Sequence, residues 1–294
     1  MNSSNRRLDC AGHIVTLDQP RIMGILNVTP DSFSDGGQWF GKTEAIQHAL
    51  AMQDAGADII DIGGESTRPG ADAVELQQEL DRVIPVIEAI APQLSVPVSI
   101  DTSKPGVMSE AVRAGAGMIN DVCALRQDGA VQMAAELAVP VCLMHMLGDP
   151  RVMQKNPVYD EVGGDIRRFL LERAKQCEHG GVLAENIVLD PGFGFGKTLE
   201  QNIDLFQSLP ELAASAYPVL VGVSRKAMIG QLTGKEMQER VSGSVTAAVL
   251  AAQAGAAIIR VHDVAETRDA LNVATALWPS SPHNSPVGFE PLLN

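Results

Sequence analysis

Ile187-Val188-Leu189-Asp190-Pro191-Gly192-Phe193-Gly194-Phe195-Gly196-Lys197 is the stretch on which the fold turns. An apolar run fit for a buried strand ends in a carboxylate, and a glycine-rich turn begins at once. Other apolar runs end in Asn27, Asp61, Asp101, Asn120-Asp121, His145, Ser224-Arg225-Lys226 and Arg260-Val261-His262. With the run ending at Asp190, eight short runs each deliver a polar group at the C-terminal end. Parallel strands buried on both faces read as such continuous apolar runs. In a closed parallel barrel, the C-terminal strand ends form the rim where the chemistry is done. The expectation is therefore an α/β chain forming a single-domain (β/α)8 TIM barrel, with its active site at that rim.

A degenerate repeat supports this alternation. Ala55-Gly56-Ala57, Ala114-Gly115-Ala116 and Ala254-Gly255-Ala256 each precede a β-rich run that ends in a polar residue. Each reads as a helix end with a glycine suited to the left-handed position just past it. Between the runs, Leu76, Leu80, Val83, Ile84, Ile87 and Ile90 recur at helical steps, with Pro85 predicting a kink or a break. Helices are also predicted over 161–178 and 241–252. Thr43 and Ser103, the latter followed by Pro105, read as helix starts. No GxGxxG follows the first strand, which excludes the dinucleotide fingerprint. The boundaries read as an extension over 1–20, a barrel over 21–278 and a loose Pro/Ser-rich tail over 279–294. The extension is a candidate for a short hairpin at the barrel bottom.

Charge narrows the partners. Twenty-two Lys and Arg stand against 36 Asp and Glu among 294 residues, a formal net charge of −14. So acidic a chain argues against nucleic acid as a partner. No run approaches the ~18 apolar residues of a membrane span. Cys10, Cys123, Cys142 and Cys177 form no CxxC pair, and the chain reads as cytoplasmic with reduced thiols.

Within such a chain, a local group of cations is informative. Thr67, Arg68, Lys226, Arg260 and His262 are all expected on the rim, and Arg260 and His262 alternate on one strand. A buried Arg needs a carboxylate or a ligand anion. An ion pair of Arg260 with Asp61 or Asp101 is one reading, and a phosphate or diphosphate site is the other. Asp101, Asn120 and Asp190 add acceptors and an amide at the barrel centre, suited to the donor-rich edge of an aminopyrimidine ring. Two loops, Asn27–Gly37 and Gly63–Gly70, mix glycine with polar groups; they read as solvated turns or as lids. Phe33 in the first is an apolar side chain able to cover a ligand. No HExxH or other zinc spacing is present. Lys226 and Lys104, both following strands, leave a Schiff-base enzyme open as a reading.

Taken together, these stretches resemble the dihydropteroate synthase family of pterin-binding barrels. The resemblance is carried by Met23 to Gly37, Asp61 to Gly70, Ser99 to Thr102, Ile119 to Asp121, Leu189 to Gly196, Gly222 to Lys226 and Arg260 to Asp263. It implies condensation of 6-hydroxymethyl-7,8-dihydropterin diphosphate with p-aminobenzoate. Asp101, Asn120, Asp190 and Lys226 are then expected to hold the pterin, with Arg260 stacked on its ring. Asn27 through Mg²⁺, Thr67, His262 and Arg260 are expected to hold the diphosphate. Arg68, Pro69, Phe195, Ser224 and Lys226 would line the p-aminobenzoate pocket, with Phe33 closing over it. Ala227 stands where many relatives have serine, a change at the pocket edge that bears on sulfonamide-type mimics. The family also implies a homodimer.

The implied chemistry is a dissociative substitution at the pterin methylene. Negative charge grows on the departing diphosphate, where cations stabilise it. Asp101 and Asp35 are expected to stabilise the positive charge on carbon, so Asp35, Asp101, Lys226 and Arg260 form the expected catalytic set. A methyltetrahydrofolate-type methyltransferase and a non-catalytic pterin-binding relative are the alternatives. The cationic rim favours the synthase, because neither alternative has a diphosphate to expel.

Overall fold

The computed structural model describes residues 6–28, 37–66, 74–147 and 159–277, without the side chains of 37–41. Eight strands form one all-parallel sheet: β3 (Arg21–Asn27), β4 (Ile59–Gly63), β5 (Val98–Asp101), β6 (Ala116–Asp121), β7 (Val141–Met144), β8 (Ile187–Asp190), β9 (Leu220–Val221) and β10 (Ile258–Val261). Their order is β8-β7-β6-β5-β4-β3-β10-β9. A parallel bridge between Leu189 and Val219 joins the two ends of that order. The Leu189 N–H also donates to the Pro218 carbonyl at 2.9 Å. The result is the expected barrel ringed by helices.

The repeated glycines explain how each helix turns back into the sheet. Gly56, Gly115 and Gly255 have φ of +97°, +117° and +99°. A side chain there would be strained, so glycine ends the helix and redirects the chain. Helix α2 (Leu76–Ile90) continues through Pro85 without a break. Its apolar positions Val83, Val86, Ile87 and Ile90 are buried and hold it on the sheet against the loss of one backbone N–H.

Two helix starts differ from expectation. Helix α1 (Gly37–Asp54) begins well before Thr43, which lies inside it. Helix α3 (Pro105–Arg113) is preceded by Lys104 in extended geometry, with proline in its first turn. The Ser103 hydroxyl instead donates to Asp121 Oδ1 at 2.5 Å. That buried carboxylate is the better acceptor, since it also takes the N–H groups of Cys123 and Leu125 at 2.7 Å each.

Two apolar layers hold the molecule together. One lies between sheet and helices, where Ile22, Ile60, Ile100, Val141 and Leu189 meet Val83, Ile87, Val107 and Ile166. The other fills the barrel near the strand starts. Met23, Ile59, Met118, Cys142, Val188, Leu220 and Ile258 pack there with Leu8, Cys10 and Val15. These last three belong to an antiparallel hairpin, β1 (Arg7–Cys10) and β2 (His13–Thr16). Gly117 is obligatory at this contact: a Cβ would lie 2.4 Å from the Cys10 carbonyl oxygen. The stretch 279–294 lies outside the described residues.

Candidate active site

The opposite rim is polar because several strands carry a functional group at or near their C-terminal ends. Asp61 from β4, Asp101 from β5, Asn120 from β6 and Arg260 from β10 form one connected cluster. Arg260 Nε donates to Asp61 Oδ2 at 2.6 Å, and Nη2 donates to Asp101 Oδ2 at 2.7 Å. Asn120 Nδ2 donates to the same Asp61 oxygen at 2.9 Å. In register, Asp101 lies beside Gly63 on one side and Asn120 on the other. The ion-pair reading of Arg260 is therefore correct for both carboxylates at once.

The pairing leaves a surplus of acceptors. Two carboxylates share one guanidinium, and among the described residues the second Asp61 oxygen is buried without a hydrogen-bond partner. Burial lifts Asp101 to about 7, with Arg260 opposing and Asp61 adding to the rise. Burial works against the charge of Arg260, but Asp61 and Asp101 together hold its pKa above the usual value. Such a group is ready to accept hydrogen bonds from a donor-rich ring and to face an anion with its cation.

Asp190 and Lys226 form the second part of the site. Asp190 Oδ1 accepts the Gly192 N–H at 2.7 Å, which starts the glycine turn. Lys226 Nζ reaches across to the Phe193 carbonyl at 2.5 Å and sits 4.6 Å from the centre of the Phe195 ring. Burial pulls Lys226 down to about 8, with Asp190 opposing. Burial also raises Asp190, while Lys226 and then Arg260 pull it back. The two halves thus face one another across the mouth.

Ser224 and His262 flank this pair. The His262 backbone N–H donates to Ser224 Oγ at 3.2 Å, and its Nδ1 lies 3.1 Å from the same oxygen. Arg225, next to Lys226, has φ of +57° and is held by Asp263 through both Nε and Nη2. Arg240 clasps the carbonyls of Arg225 and Lys226 at 3.1 and 3.4 Å. This strained corner aims Lys226 inward and sends the Arg225 side chain to Asp263.

Asn27 ends β3 with its side chain exposed. A Cβ on Gly63 would lie 3.8 Å from both Asn27 Oδ1 and Asp101 Oδ2, so the bare glycine leaves these two oxygens facing one space. Hard oxygen donors there fit a magnesium ion bound mainly by phosphate oxygens and water. Among the described residues, no group of three or more His, Cys, Asp or Glu could hold a metal by itself.

Asp101, Asn120 and Arg260 thus meet through Asp61, while Asp190, Phe195 and Lys226 meet at the glycine turn. Phe33, Asp35, Thr67, Arg68 and Pro69 lie outside the described residues. The sequence offered Asp61 only as an ion-pair partner of Arg260, with no ligand-binding role, although a carboxylate in the middle of a buried strand signals one. The sequence also missed a clamp at the second loop. Glu65 accepts the Val74 N–H at 3.1 Å and pairs with Lys104, which also reaches buried Glu79 at 2.5 Å. Burial opposes the charge on Lys104, but Glu65 and Glu79 hold its pKa above the ordinary value. A lysine kept protonated is no Schiff-base nucleophile.

A parallel barrel with acceptors deep and cations around them is built to bind a flat polar heterocycle carrying an anionic group. The chain belongs to the pterin-binding enzyme family, whose model matches residues 23–262. It is 52% identical over 270 residues to the dihydropteroate synthase of Escherichia coli strain K12, covering 92% of this chain and 96% of that one. The Xanthomonas albilineans dihydropteroate synthase with 4-aminobenzoic acid superposes with a TM-score of 0.89 at 54% identity, over 94% of this chain and all of that one (100%). The same enzyme in complex with 7,8-dihydropteroate gives a TM-score of 0.85 at 51% identity, over 94% of this chain and 100% of that one.

Proposed function

We propose that this chain is a transferase that joins 6-hydroxymethyl-7,8-dihydropterin diphosphate to p-aminobenzoate, forming 7,8-dihydropteroate and diphosphate. The observation that carries this reading is the meeting of Asp101, Asn120, Asp190, Lys226 and Arg260 at one barrel mouth, in a chain about half identical to dihydropteroate synthases. The route through folate synthesis follows from that activity. Complexes of such enzymes include one with a sulfonamide drug, from Yersinia pestis.

The proposed roles rest on the described geometry together with the family resemblance. The partnerless Asp61 oxygen, Asp101 and Asp190 accept from the pterin N–H groups, and Asn120 and Lys226 donate to its ring nitrogen and carbonyl. Arg260, fixed by two carboxylates, presents its guanidinium plane to the ring. As the methylene–oxygen bond breaks, Asp101 stabilises the positive carbon, with Asp35 as its expected partner. Arg260 and His262 face the negative charge on the diphosphate, and the family resemblance adds Thr67 to them. Asn27 would hold Mg²⁺, which when bound supplies charge to offset the leaving group. The arylamine is already nucleophilic and needs no strong base, so no covalent enzyme intermediate is required. Phe195, Ser224 and Lys226 line its pocket, and the family resemblance adds Arg68, Pro69 and Phe33.

We also infer a cytoplasmic homodimer. Three of four cysteines are buried and all are unbridged, as in a reducing compartment. An apolar surface of Val249, Ala270, Val273, Ala274 and Leu277 supports self-association. Among the described residues, no helix is long and apolar enough to cross a membrane. The decisive assay measures diphosphate release with both substrates and Mg²⁺. Release that requires p-aminobenzoate supports the synthase. Binding of both ligands without release would favour the non-catalytic relative.

A further inference from the structure

Lys197 is a buried cation that the reaction does not use. It lies at the end of the glycine turn with 4% of its surface exposed. Its Nζ donates to the carbonyls of Gly192 at 2.7 Å and Phe195 at 3.0 Å, and lies 3.2 Å from His145 Nδ1. An ammonium has three protons, and three acceptors surround this one. Burial, then Lys197 itself, pushes His145 down to about 3, so the ring is neutral. An ammonium at Lys197 can only donate, which makes Nδ1 the acceptor and leaves the ring proton to Nε2. The His145 ring is wedged edge-on against Phe169, with centroids 5.0 Å apart.

The turn is a run of left-handed glycines that several hydrogen bonds fasten, among them that of the Gly192 N–H to Asp190. Gly192, Gly194 and Gly196 adopt φ of +70°, +79° and +65°, a left-handed residue at every second position. Glycines gain this freedom in the unfolded chain as well, so the folded turn needs fasteners. Asn202 Oδ1 accepts the Gly194 N–H at 2.8 Å, and the Tyr159 hydroxyl donates to the Gly196 carbonyl at 3.0 Å. The Phe195 N–H donates to the Gly192 carbonyl at 3.2 Å, and Lys197 adds the side-chain bridge that ties the Gly192 and Phe195 carbonyls to one buried ammonium. The segment from Gly192 to Phe195 presents the Phe193 carbonyl to Lys226 and the Phe195 ring beneath it.

The geometry points to Lys197, seated on His145, as the positioning residue that sets the Phe195–Lys226 edge for the arylamine substrate. This rests on the pocket reading given above. Of the pterin-binding groups, Asp61, Asp101 and Asn120 stand on strands away from the turn, while Asp190 and Lys226 touch it, so p-aminobenzoate should suffer more than the pterin. Burial, then the neighbouring Lys226 charge, pulls Lys197 down to about 7, which fits a group whose ammonium depends on its three acceptors.

The test is Lys197→Met, which keeps the length and removes the donors. The expected result is a KM for p-aminobenzoate raised about tenfold, with kcat and the pterin diphosphate KM changed less than about threefold. Calorimetric titration with p-aminobenzoate, in the presence of a pterin analogue, should show the same loss without turnover. An unchanged p-aminobenzoate affinity, or equal losses for both substrates, overturns the proposal. Should Lys197→Met fail to fold, His145→Phe and His145→Gln decide. Phenylalanine removes the third acceptor and should weaken p-aminobenzoate, whereas the glutamine oxygen should restore it; identical behaviour of the two overturns the proposal. If wild type binds p-aminobenzoate without releasing diphosphate, the synthase reading fails while the titration still judges Lys197.

Discussion

Arg260 shows how one residue can be structural and functional together. It neutralises Asp61 and Asp101, which are otherwise buried beside each other. Arg260→Met should lower unfolding stability by about 3–5 kcal/mol in urea melts, because two buried carboxylates lose their cation. It should also abolish measurable turnover. An uncharged Asp61→Asn would relieve less strain, since Asn120 still needs that acceptor. The pH profile belongs to the same scale. Asp101, lifted to about 7, loses its charge as pH falls through that value. Lys226, pulled down to about 8, loses its charge as pH rises through that value. A bell-shaped kcat/KM with limbs near 7 and near 8 is the expected outcome. Replacing Lys226 by arginine should move the alkaline limb above the accessible range; a limb that stays put would assign it elsewhere.

At the scale of elements, the backbone carries the specificity. Gly192 has φ of +70°, and a Cβ there would lie 1.9 Å from the His145 carbonyl oxygen. Gly234, at the end of helix α8 (Ala227–Thr233), has φ of +69° with nothing within 4 Å of the same point. Gly234→Ala should cost about 1 kcal/mol in a thermal or urea melt, the price of a left-handed alanine alone. Gly192→Ala should cost several times more and lose activity, since main chain must move against main chain. Equal losses would show that the turn yields easily.

This element scale is also where the sequence was most readable. Parallel strands announce themselves as apolar runs closed by polar residues, so the eight strands could be read directly, although β4 runs past Asp61 to Gly63 and β9 stops at Val221, short of Ser224. The three glycine-marked helix ends followed for the same local reason. What stayed hidden is what joins residues far apart in the chain. An ion pair of Arg260 with Asp61 or Asp101 is one of two readings of the sequence, but that both carboxylates share the one guanidinium carries no spacing signature. Lys197 looked like the last letter of a glycine motif because its acceptors are main-chain carbonyls, which carry no sequence signature. Ser103 misled as a helix start because a better acceptor, Asp121, lay on the next strand. Lys104 looked nucleophilic until Glu65 and Glu79 were beside it.

At the scale of the whole molecule, stability and chemistry occupy opposite ends. The hairpin packs at the strand starts, away from the polar rim. Leu8 is 1% exposed there. Leu8→Ala should therefore lower stability by about 2–4 kcal/mol in urea melts while kcat/KM changes less than about twofold. A large kinetic effect would mean that the barrel ends are mechanically coupled. The apolar strip on helices α9 (Val241–Gln253) and α10 (Val264–Leu277) lies outside the barrel wall, so association there need not touch the mouth.

The stoppered floor also governs traffic. With Leu8, Cys10 and Val15 filling the base, a ligand can reach Asp61 and Asn120 only from above. Whatever rests on those deep groups has to arrive first, and the arylamine lands over it like a cork on a filled bottle. The joined product must then leave by the same door, pulling the buried ring out behind the benzoate.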